Sequence, residues 1–431
     1  MSFVRLSLVF AICSWSSIIS AGSYFDVTYE PSTEPGELSL GVTYTIWIPE
    51  LSAPLRGVIV HQHGCGTGAC QGGATAAYDL HWQALAAKWN CALLGPSYHQ
   101  KDGENCRLWC DPRNGSHKTF LRALDDFAVQ AKRPELKTVP WCLWGHSGGA
   151  FWASLMQTMY PERIAAIWFR SGGAFPYWER GEIEKPEITP AVLAIPMMQN
   201  PGAKEKDHER FKIAYDGGLA MFESSRKQGA PIGFAPDPRT AHECGDSRYL
   251  AIPFFDVCLE LRLPPPGSKS PTLRPINLAR GRLVPKPELS AEPSWLPNDR
   301  LSRLYDEYLK TGFVEDSTPP AAPQNVNVSR DGPSTVTITW SADADFESGL
   351  GGFVVERNGE TLVQLPEKPI AKFGKPLFQA MSYHDTPEKP LPEMKFEDKS
   401  TTGGKSSRYR VIAVNTAGVK SAPSAEATLA P

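Results

Sequence analysis

Short apolar, β-branched runs alternate with amphipathic segments between residues 40 and 264. The apolar runs predict strands at 44–49, 57–61, 91–95, 139–144, 164–169, 191–198 and 231–235. Between them, apolar residues recur at helical spacing and predict helices near 82–89, 120–131, 210–227 and 247–262, with a further helix starting at Ala150. Strands and helices in this alternation predict an α/β fold, a parallel sheet covered on both faces.

Residues 318–431 follow a different pattern, with a proline-rich entry and then alternating strands at 336–340, 352–357 and 409–418. Trp340 on an early strand and Tyr409 at the start of a late one indicate an all-β, immunoglobulin-like sandwich. With the Val-Asn-Thr-Ala-Gly run ending at Gly418, they make this segment resemble a fibronectin type III module. A long polar insert at 373–395 departs from that pattern. It is interpreted as a loop reaching back to the first domain, a ligand-binding device or a spacer.

Length and charge limit the function classes. A chain of 431 residues is long for one domain and predicts two. Its formal net charge of -3 argues against a basic surface for nucleic acid or anionic membrane. Residues 265–317, rich in proline and charge, predict a linker between an α/β domain at 23–264 and a fibronectin type III-like domain at 318–431.

The N-terminal residues 1–22 contain one early positive charge, a short apolar core and small residues near Ala21. This pattern predicts a signal peptide, and therefore a secreted or periplasmic protein. No later run of the sequence would span a bilayer, so we expect no membrane span.

Cysteine usage fits an exported chain. The sequence has nine cysteines, and removal of Cys13 with the signal peptide leaves eight. An even number in an exported protein predicts disulfide bonds. The candidate pairs by proximity in the sequence are Cys65 with Cys70, Cys106 with Cys110, and Cys244 with Cys258.

The segment 139–153 carries the strongest chemical signal. An apolar strand leads into Gly145, His146, Ser147, Gly148 and Gly149, and a helix follows. A serine between glycines at a sharp strand-to-helix turn is the pattern of a nucleophile elbow, in which the hydroxyl projects from the sheet edge.

A serine nucleophile needs a base, and histidine has the suitable pKa range. His242 lies in the loop after the last predicted strand and before the closing helix, where the base of such a site is expected. The acid should follow the strand that ends near Met198, where the sequence offers Glu205 and, as the alternative, Asp207.

An oxyanion hole requires two backbone N–H groups that point at the developing charge. The predicted donors are Gly148, directly after the serine, and Cys65 in the glycine-rich turn after the 57–61 strand. His61 and His63 could share one face of that strand and bind a metal, but no matching acidic partner follows them. We expect no metal and no cofactor.

Taken together, the elbow, acid, histidine and turn make residues 40–264 resemble an α/β-hydrolase. The turn at His63, Gly64 and Cys65 resembles that of secreted polyhydroxyalkanoate depolymerases and related feruloyl and acetylxylan esterases, with a departure at Gln62, where the depolymerase-like turn has leucine. The resemblance implies ester hydrolysis through a covalent acyl-enzyme.

The expected function is that of a secreted serine hydrolase that cleaves an ester, with a polysaccharide ester or a polyester as substrate. The sandwich favours a polymeric or surface-attached substrate only by analogy between folds. Two alternatives are a non-catalytic binding or adhesion protein on a hydrolase scaffold and a serine peptidase on the same fold.

Overall fold

The computed structural model describes residues 22–268, 270–286, 288–332, 334–368, 372–375, 377–391, 393–401 and 405–430. Of the predicted signal peptide at 1–22, residues 1–21 lie outside the described residues, and Gly22 begins the first described strand. Among the helices within the described ranges, none combines the length and the apolar character needed to cross a membrane.

An eight-stranded sheet is formed by strands between Gly22 and Phe234, in the order β1-β2-β4-β3-β5-β6-β7-β8. The first two neighbour pairs in this order are antiparallel, and all later pairs are parallel. The predicted α/β class is thus found, as a mixed sheet with an antiparallel edge. The strands are β1 (Gly22–Tyr29), β2 (Val42–Pro49), β3 (Gly57–Gln62), β4 (Cys91–Tyr98), β5 (Trp141–His146), β6 (Ile164–Arg170), β7 (Met197–Asn200) and β8 (Ile232–Phe234).

Helices cover both faces of this sheet and bury two apolar clusters against it. They are α1 (Thr67–Gly73), α2 (Leu80–Trp89), α3 (Arg107–Cys110), α4 (Ser116–Gln130), α5 (Gly148–Met159), α6 (Phe175–Glu179), α7 (Pro190–Leu193), α8 (Lys212–Lys227), α9 (Arg248–Arg262) and α10 (Asp299–Thr311). Short 3₁₀ helices lie at Ala76–Tyr78, Pro112–Asn114, Pro134–Lys137, Pro161–Arg163, Ala203–Asp207 and Leu278–Arg280.

The strand predicted at 191–198 is wrong in its first half. Thr189 caps a helical turn there through its hydroxyl, which accepts the Val192 N–H at 3.4 Å, and Pro190 occupies the first helical position. A threonine cap followed by proline is a helix-start signal that outweighs the apolar run. The strand β7 therefore begins only at Met197.

The parallel strands bring their carboxyl ends to one edge of the sheet. Gln62 at the end of β3 pairs with Gly145 near the end of β5, and His146 pairs with Arg170 at the end of β6. Arg170 pairs in turn with Asn200 at the end of β7. The loops that follow these strands share this edge, where ligands bind in open α/β sheets.

The described residues of the 265–317 segment lie against the α/β part at several points. They contain a small hairpin of β9 (Arg282–Val284) and β10 (Ser294–Leu296), followed by α10. The apolar face of α10 places Leu301, Tyr305 and Tyr308 in the apolar cluster that contains α9. The segment predicted as a linker is therefore packed against the α/β part along part of its length.

The remaining strands form two antiparallel sheets that enclose their own apolar cluster. One has the order β11-β12-β15 and the other β14-β13-β16-β17. Trp340 and Tyr409 are buried in this cluster, as expected for a sandwich. The strands are β11 (Gln324–Arg330), β12 (Val336–Ser341), β13 (Leu350–Arg357), β14 (Glu360–Leu365), β15 (Lys395–Asp398), β16 (Ser407–Asn415) and β17 (Ala427–Leu429).

Candidate active site

Ser147 lies at the turn between β5 and α5 with a φ of 52°. A side chain in this left-handed region is strained, and such strain recurs at functional sites. The flanking glycines make the turn possible, because a Cβ on Gly145 would lie 2.4 Å from the Gly149 carbonyl oxygen. A Cβ on Gly149 would lie 2.4 Å from the Gln62 carbonyl oxygen. Neither position has room for a larger residue.

Ser147, His242 and Glu205 form a continuous hydrogen-bond chain. The Ser147 Oγ is 3.0 Å from Nε2 of His242, and Nδ1 of His242 is 2.5 Å from Oε1 of Glu205. A carboxylate can only accept, so Nδ1 carries the proton and the Nε2 lone pair faces the serine hydroxyl. In this tautomer the imidazole is able to take the hydroxyl proton.

The two candidate acids lie in different environments. Glu205 is fully buried in the 3₁₀ helix after β7, and its second oxygen accepts the Gly202 N–H at 3.1 Å. Asp207 is exposed at the end of the same 3₁₀ helix. Of the two carboxylates that the sequence offers, Glu205 is therefore the one that contacts His242.

The backbone of Gly148 and that of Cys65 lie side by side next to Ser147. A Cβ on Gly148 would lie 3.4 Å from the Cys65 nitrogen and 2.2 Å from its sulfur. Gly148 is the first residue of α5, so its N–H has no acceptor within that helix. This arrangement is consistent with two N–H donors beside the serine hydroxyl.

All three disulfide pairs predicted by proximity in the sequence are wrong. Cys65 is bonded to Cys106, with a Cα–Cα distance of 5.6 Å, and the remaining cysteines of the described residues are free and buried. The helix α1 carries Cys70 inward, where its thiol faces the Gln100 side-chain oxygen. The bond to Cys106 instead joins the turn after β3 to the start of α3.

A buried arginine holds the backbone on either side of His242. Arg170 donates to the Thr240 hydroxyl at 2.7 Å and to the Ala241 carbonyl at 3.3 Å, and it also donates to the Glu243 carbonyl. The sequence analysis missed Arg170. Its signal was a charged residue at the end of the otherwise apolar β6, since such a residue is rarely buried without partners.

The ring of His242 is also fixed by stacking and by a second histidine. Phe211 lies parallel to it, with ring centroids 3.8 Å apart. His146 Nε2 is 2.8 Å from the His242 carbonyl oxygen. Burial, together with the nearby His242 and His384, holds the pKa of His146 well below its usual range, so this ring is neutral. A neutral ring that donates from Nε2 stabilises the backbone of the His242 loop.

A cavity of about 340 Å³ opens beside Ser147. Phe151, Tyr177 and Phe211 line it with aromatic rings, and Arg107 and Arg210 lie at its margin. Arg107 is paired with Glu182 at 3.2 Å. The cavity beside the hydroxyl therefore combines aromatic walls with polar and cationic groups.

Two clusters within the described ranges bring three potential metal-ligand side chains within 4.8 Å of one another. In the first, two of the three cysteines are consumed by the Cys65–Cys106 disulfide. In the second, Asp316 and Asp345 accept hydrogen bonds from Ser348. Neither cluster contains Ser147, His242 or Glu205.

Comparisons with known proteins give distant structural matches only. No family model matches the sequence, and no curated protein matches it. An S-formylglutathione hydrolase from Agrobacterium tumefaciens is 16% identical, covers 56% of this chain and 94% of its own, and has a TM-score of 0.37. A Fn3-like protein from Clostridium thermocellum is 20% identical over 26% of this chain and 96% of its own, with a TM-score of 0.18. A crystal structure of titin domains is 22% identical over 26% of this chain, with a TM-score of 0.18, and the match spans about a third (32%) of that structure.

Proposed function

We propose that the protein is a serine hydrolase that cleaves carboxylic esters through an acyl-enzyme. The observation that carries the proposal is the continuous chain from the Ser147 hydroxyl through His242 to the buried Glu205, at 3.0 and 2.5 Å. Along the sequence the three residues occur in the order Ser147, Glu205, His242, which is the order of α/β-hydrolase triads.

In the proposed mechanism, the Ser147 Oγ attacks the acyl carbon while His242 Nε2 accepts its proton. Glu205 holds the imidazole in the required tautomer and stabilises the imidazolium that forms. The N–H groups of Gly148 and Cys65 stabilise the oxyanion. His242 then protonates the leaving alcohol, and water releases the acid by the reverse sequence.

The site supports a particular substrate shape. A cavity of about 340 Å³ beside Ser147 accepts a small acyl or aromatic group, while the exposed Cys65 and Arg210 at its rim leave room for a larger moiety outside. We infer an ester on a polysaccharide or a polyester, with the rest of the polymer outside the cavity.

Export is part of the proposal. A disulfide such as Cys65–Cys106 persists in oxidising compartments and is rare in the cytosol. It supports a secreted or periplasmic location, which the N-terminal sequence also predicts.

The test is labelling of the purified protein with a fluorophosphonate, together with a time course of p-nitrophenyl acetate hydrolysis. We expect labelling and an early product burst in the wild type, and neither in Ser147→Ala. Glu205→Gln should lower kcat by about a thousandfold or more, because the imidazole loses the group that fixes its tautomer.

Asp207→Asn is the matched control, since it removes an exposed carboxylate two positions away on the same 3₁₀ helix. It should keep near-normal turnover. A folded wild type that is neither labelled nor active would refute the enzyme proposal, and equal losses in the two acid variants would refute the assignment of Glu205.

A further inference from the structure

The polar insert of the sandwich packs directly against the loop that carries His242. We call residues 372–375 and 377–391 the insert segment. Its residue Tyr383 accepts the Cys244 N–H through its carbonyl at 3.0 Å, and the Lys375 N–H donates to Asp246 at 2.8 Å. Both partners lie in the loop that carries His242. The described insert segment therefore contacts the His242 loop, and none of its residues is among those that line the cavity beside Ser147.

A chain of hydrogen bonds leads from the insert segment to His242. The His384 Nδ1 is 3.1 Å from Nδ1 of His146, whose Nε2 is 2.8 Å from the His242 carbonyl oxygen. Because a carbonyl only accepts, His146 must carry its proton on Nε2 and accept at Nδ1. His384 must then donate from its own Nδ1. Because the His242 carbonyl can only accept, it determines which nitrogen donates in both hydrogen bonds of the chain.

A buried ion cluster fixes the neighbouring residue. Arg248, the first residue of α9, donates from Nε to Asp385 at 2.8 Å and from both terminal nitrogens to Asp79 at 3.1 and 2.6 Å. The side chains of Arg248 and both aspartates are 1% exposed. Since Asp79 caps α2 and Arg248 begins α9, Asp385 links the insert segment to two helices of the α/β part.

Further contacts fix the insert segment against the start of α2. Gln379 donates to the Tyr78 carbonyl and accepts the Leu80 N–H, both at 2.8 Å. The segment thus has attachment points on either side of His384. Its position is determined by the α/β part as well as by the sandwich.

We propose that the insert segment is a positioning element of the active site, in which His384 holds His146 in the tautomer that anchors the His242 backbone. The inference rests on the proposed function, because it assigns His242 as the base. It makes His384 and His146 positioning residues, since neither touches the reacting atoms.

The test compares His384→Leu with His384→Asn. Leucine removes the donor while keeping apolar volume, and the asparagine amide nitrogen lies near the position of the imidazole Nδ1. We expect kcat, and the rate of fluorophosphonate labelling of Ser147, to fall about tenfold to a hundredfold in the leucine variant with KM unchanged. The asparagine variant should recover most of the rate. Arg408→Gln, a change of an exposed side chain on β16, is the control.

The outcomes separate this inference from the proposed function. An unlabelled, folded wild type refutes the function itself. A labelled wild type with equal rates in His384→Leu refutes the positioning role, and so do equal losses in the leucine and asparagine variants. If the leucine variant does not fold, His384→Gln replaces it, because its amide reaches the Nε2 position and should fail to rescue.

Discussion

The turn at Ser147 combines one strained residue with two positions that exclude any side chain larger than hydrogen. The φ of 52° at Ser147 is maintained because β5 and α5 are both fully packed on either side of it. Glycine at 145 and 149 lets the strand and the helix approach to within contact of each other's backbone. The strained backbone at Ser147 therefore depends on the two glycines, because only residues without a Cβ allow the strand and the helix to come this close.

This geometry predicts a steep cost for Gly149→Ala. The added Cβ would meet two backbone oxygens, those of Gln62 and His63, at 2.4 and 2.6 Å. Backbone atoms cannot move aside as a flexible side chain does, so we expect a loss of about 2–3 kcal/mol in the free energy of unfolding. Fluorophosphonate labelling should fall in the same variant. Urea denaturation and labelling measure the two effects.

Gly68→Ala is the matched control, because Gly68 also lies in a helix but a Cβ there meets nothing within 4 Å. It should be neutral, or stabilising by about 0.5–1 kcal/mol, since alanine has the higher helix propensity. Equal effects of the two alanine substitutions would contradict the steric argument.

At the residue scale, the sequence predicts what local chemistry determines. Ser147 is identified by its glycines, and His242 by its place between the last strand and the closing helix. Arg170 and His384 were missed because their partners are distant in the chain, at separations of 70 and 238 residues. His384 lies in the segment whose strand pattern predicts a separate sandwich, so it was not considered together with Ser147 and His242. Its contact with His146 depends on how the sandwich packs against the α/β part, which no local sequence pattern encodes.

At the scale of elements, the same limit explains the disulfide. Proximity in the sequence favours Cys65 with Cys70, but the bond joins residues 41 positions apart. The difference arises because α1 starts at Thr67 and directs Cys70 into the apolar cluster under β4. Element types were predictable from apolar periodicity, whereas the faces that two distant loops present to each other were not.

The disulfide predicts a link between redox state and activity. It joins the turn that carries the Cys65 N–H to α3, so its loss should let that N–H move away from the oxyanion position. We expect Cys106→Ser/Cys110→Ser to lose about 2–4 kcal/mol in the free energy of unfolding. We expect labelling of Ser147 to fall by about a hundredfold, as for loss of one oxyanion donor.

The double variant is needed because the Cys110 sulfur lies within 4.8 Å of both bonded sulfurs and is available to pair with Cys65. Cys110→Ser alone keeps the native disulfide and serves as the control. Labelling rates and thiol counts under oxidising conditions measure the effect. A double variant that labels at the rate of this control would show that the turn is held without the disulfide.

At the scale of the whole molecule, the sandwich and the α/β part share buried polar contacts. Asp385 of the sandwich accepts a hydrogen bond from Arg248 of α9. The Nε2 atom of His81 in α2 is 3.0 Å from the carbonyl oxygen of Phe346 in the sandwich. Such contacts are costly to leave unpaired, so separation of the two parts exposes more than apolar surface. The two parts should therefore unfold as one cooperative unit.

His81 makes that unit sensitive to acid. Burial and the neighbouring Arg248 lower the pKa of His81 to about 4, although Asp79 and Asp385 act in the opposite direction. An unfolded imidazole binds a proton below about pH 6.5. Between these values the unfolded chain binds more protons than the folded one, so the contribution of His81 to stability is complete above pH 6.5 and decreases toward pH 4. From pH 7 to pH 5 the loss is about 2 kcal/mol.

Other buried groups also change their pKa on folding, so the pH dependence of the wild type alone does not isolate His81. Burial and the neighbouring Asp316 raise the pKa of Asp345, and burial raises the pKa of Glu347 and that of Asp246, the last to about 7, so these carboxyl groups favour the folded state as the pH falls. The difference between the wild type and His81→Gln cancels these contributions. Glutamine keeps a donor for the Phe346 carbonyl and does not titrate. Urea unfolding at pH 7 and pH 5 should show that the variant loses about 2 kcal/mol less than the wild type. An identical pH dependence in the two proteins would show that His81 is not buried at this junction in solution.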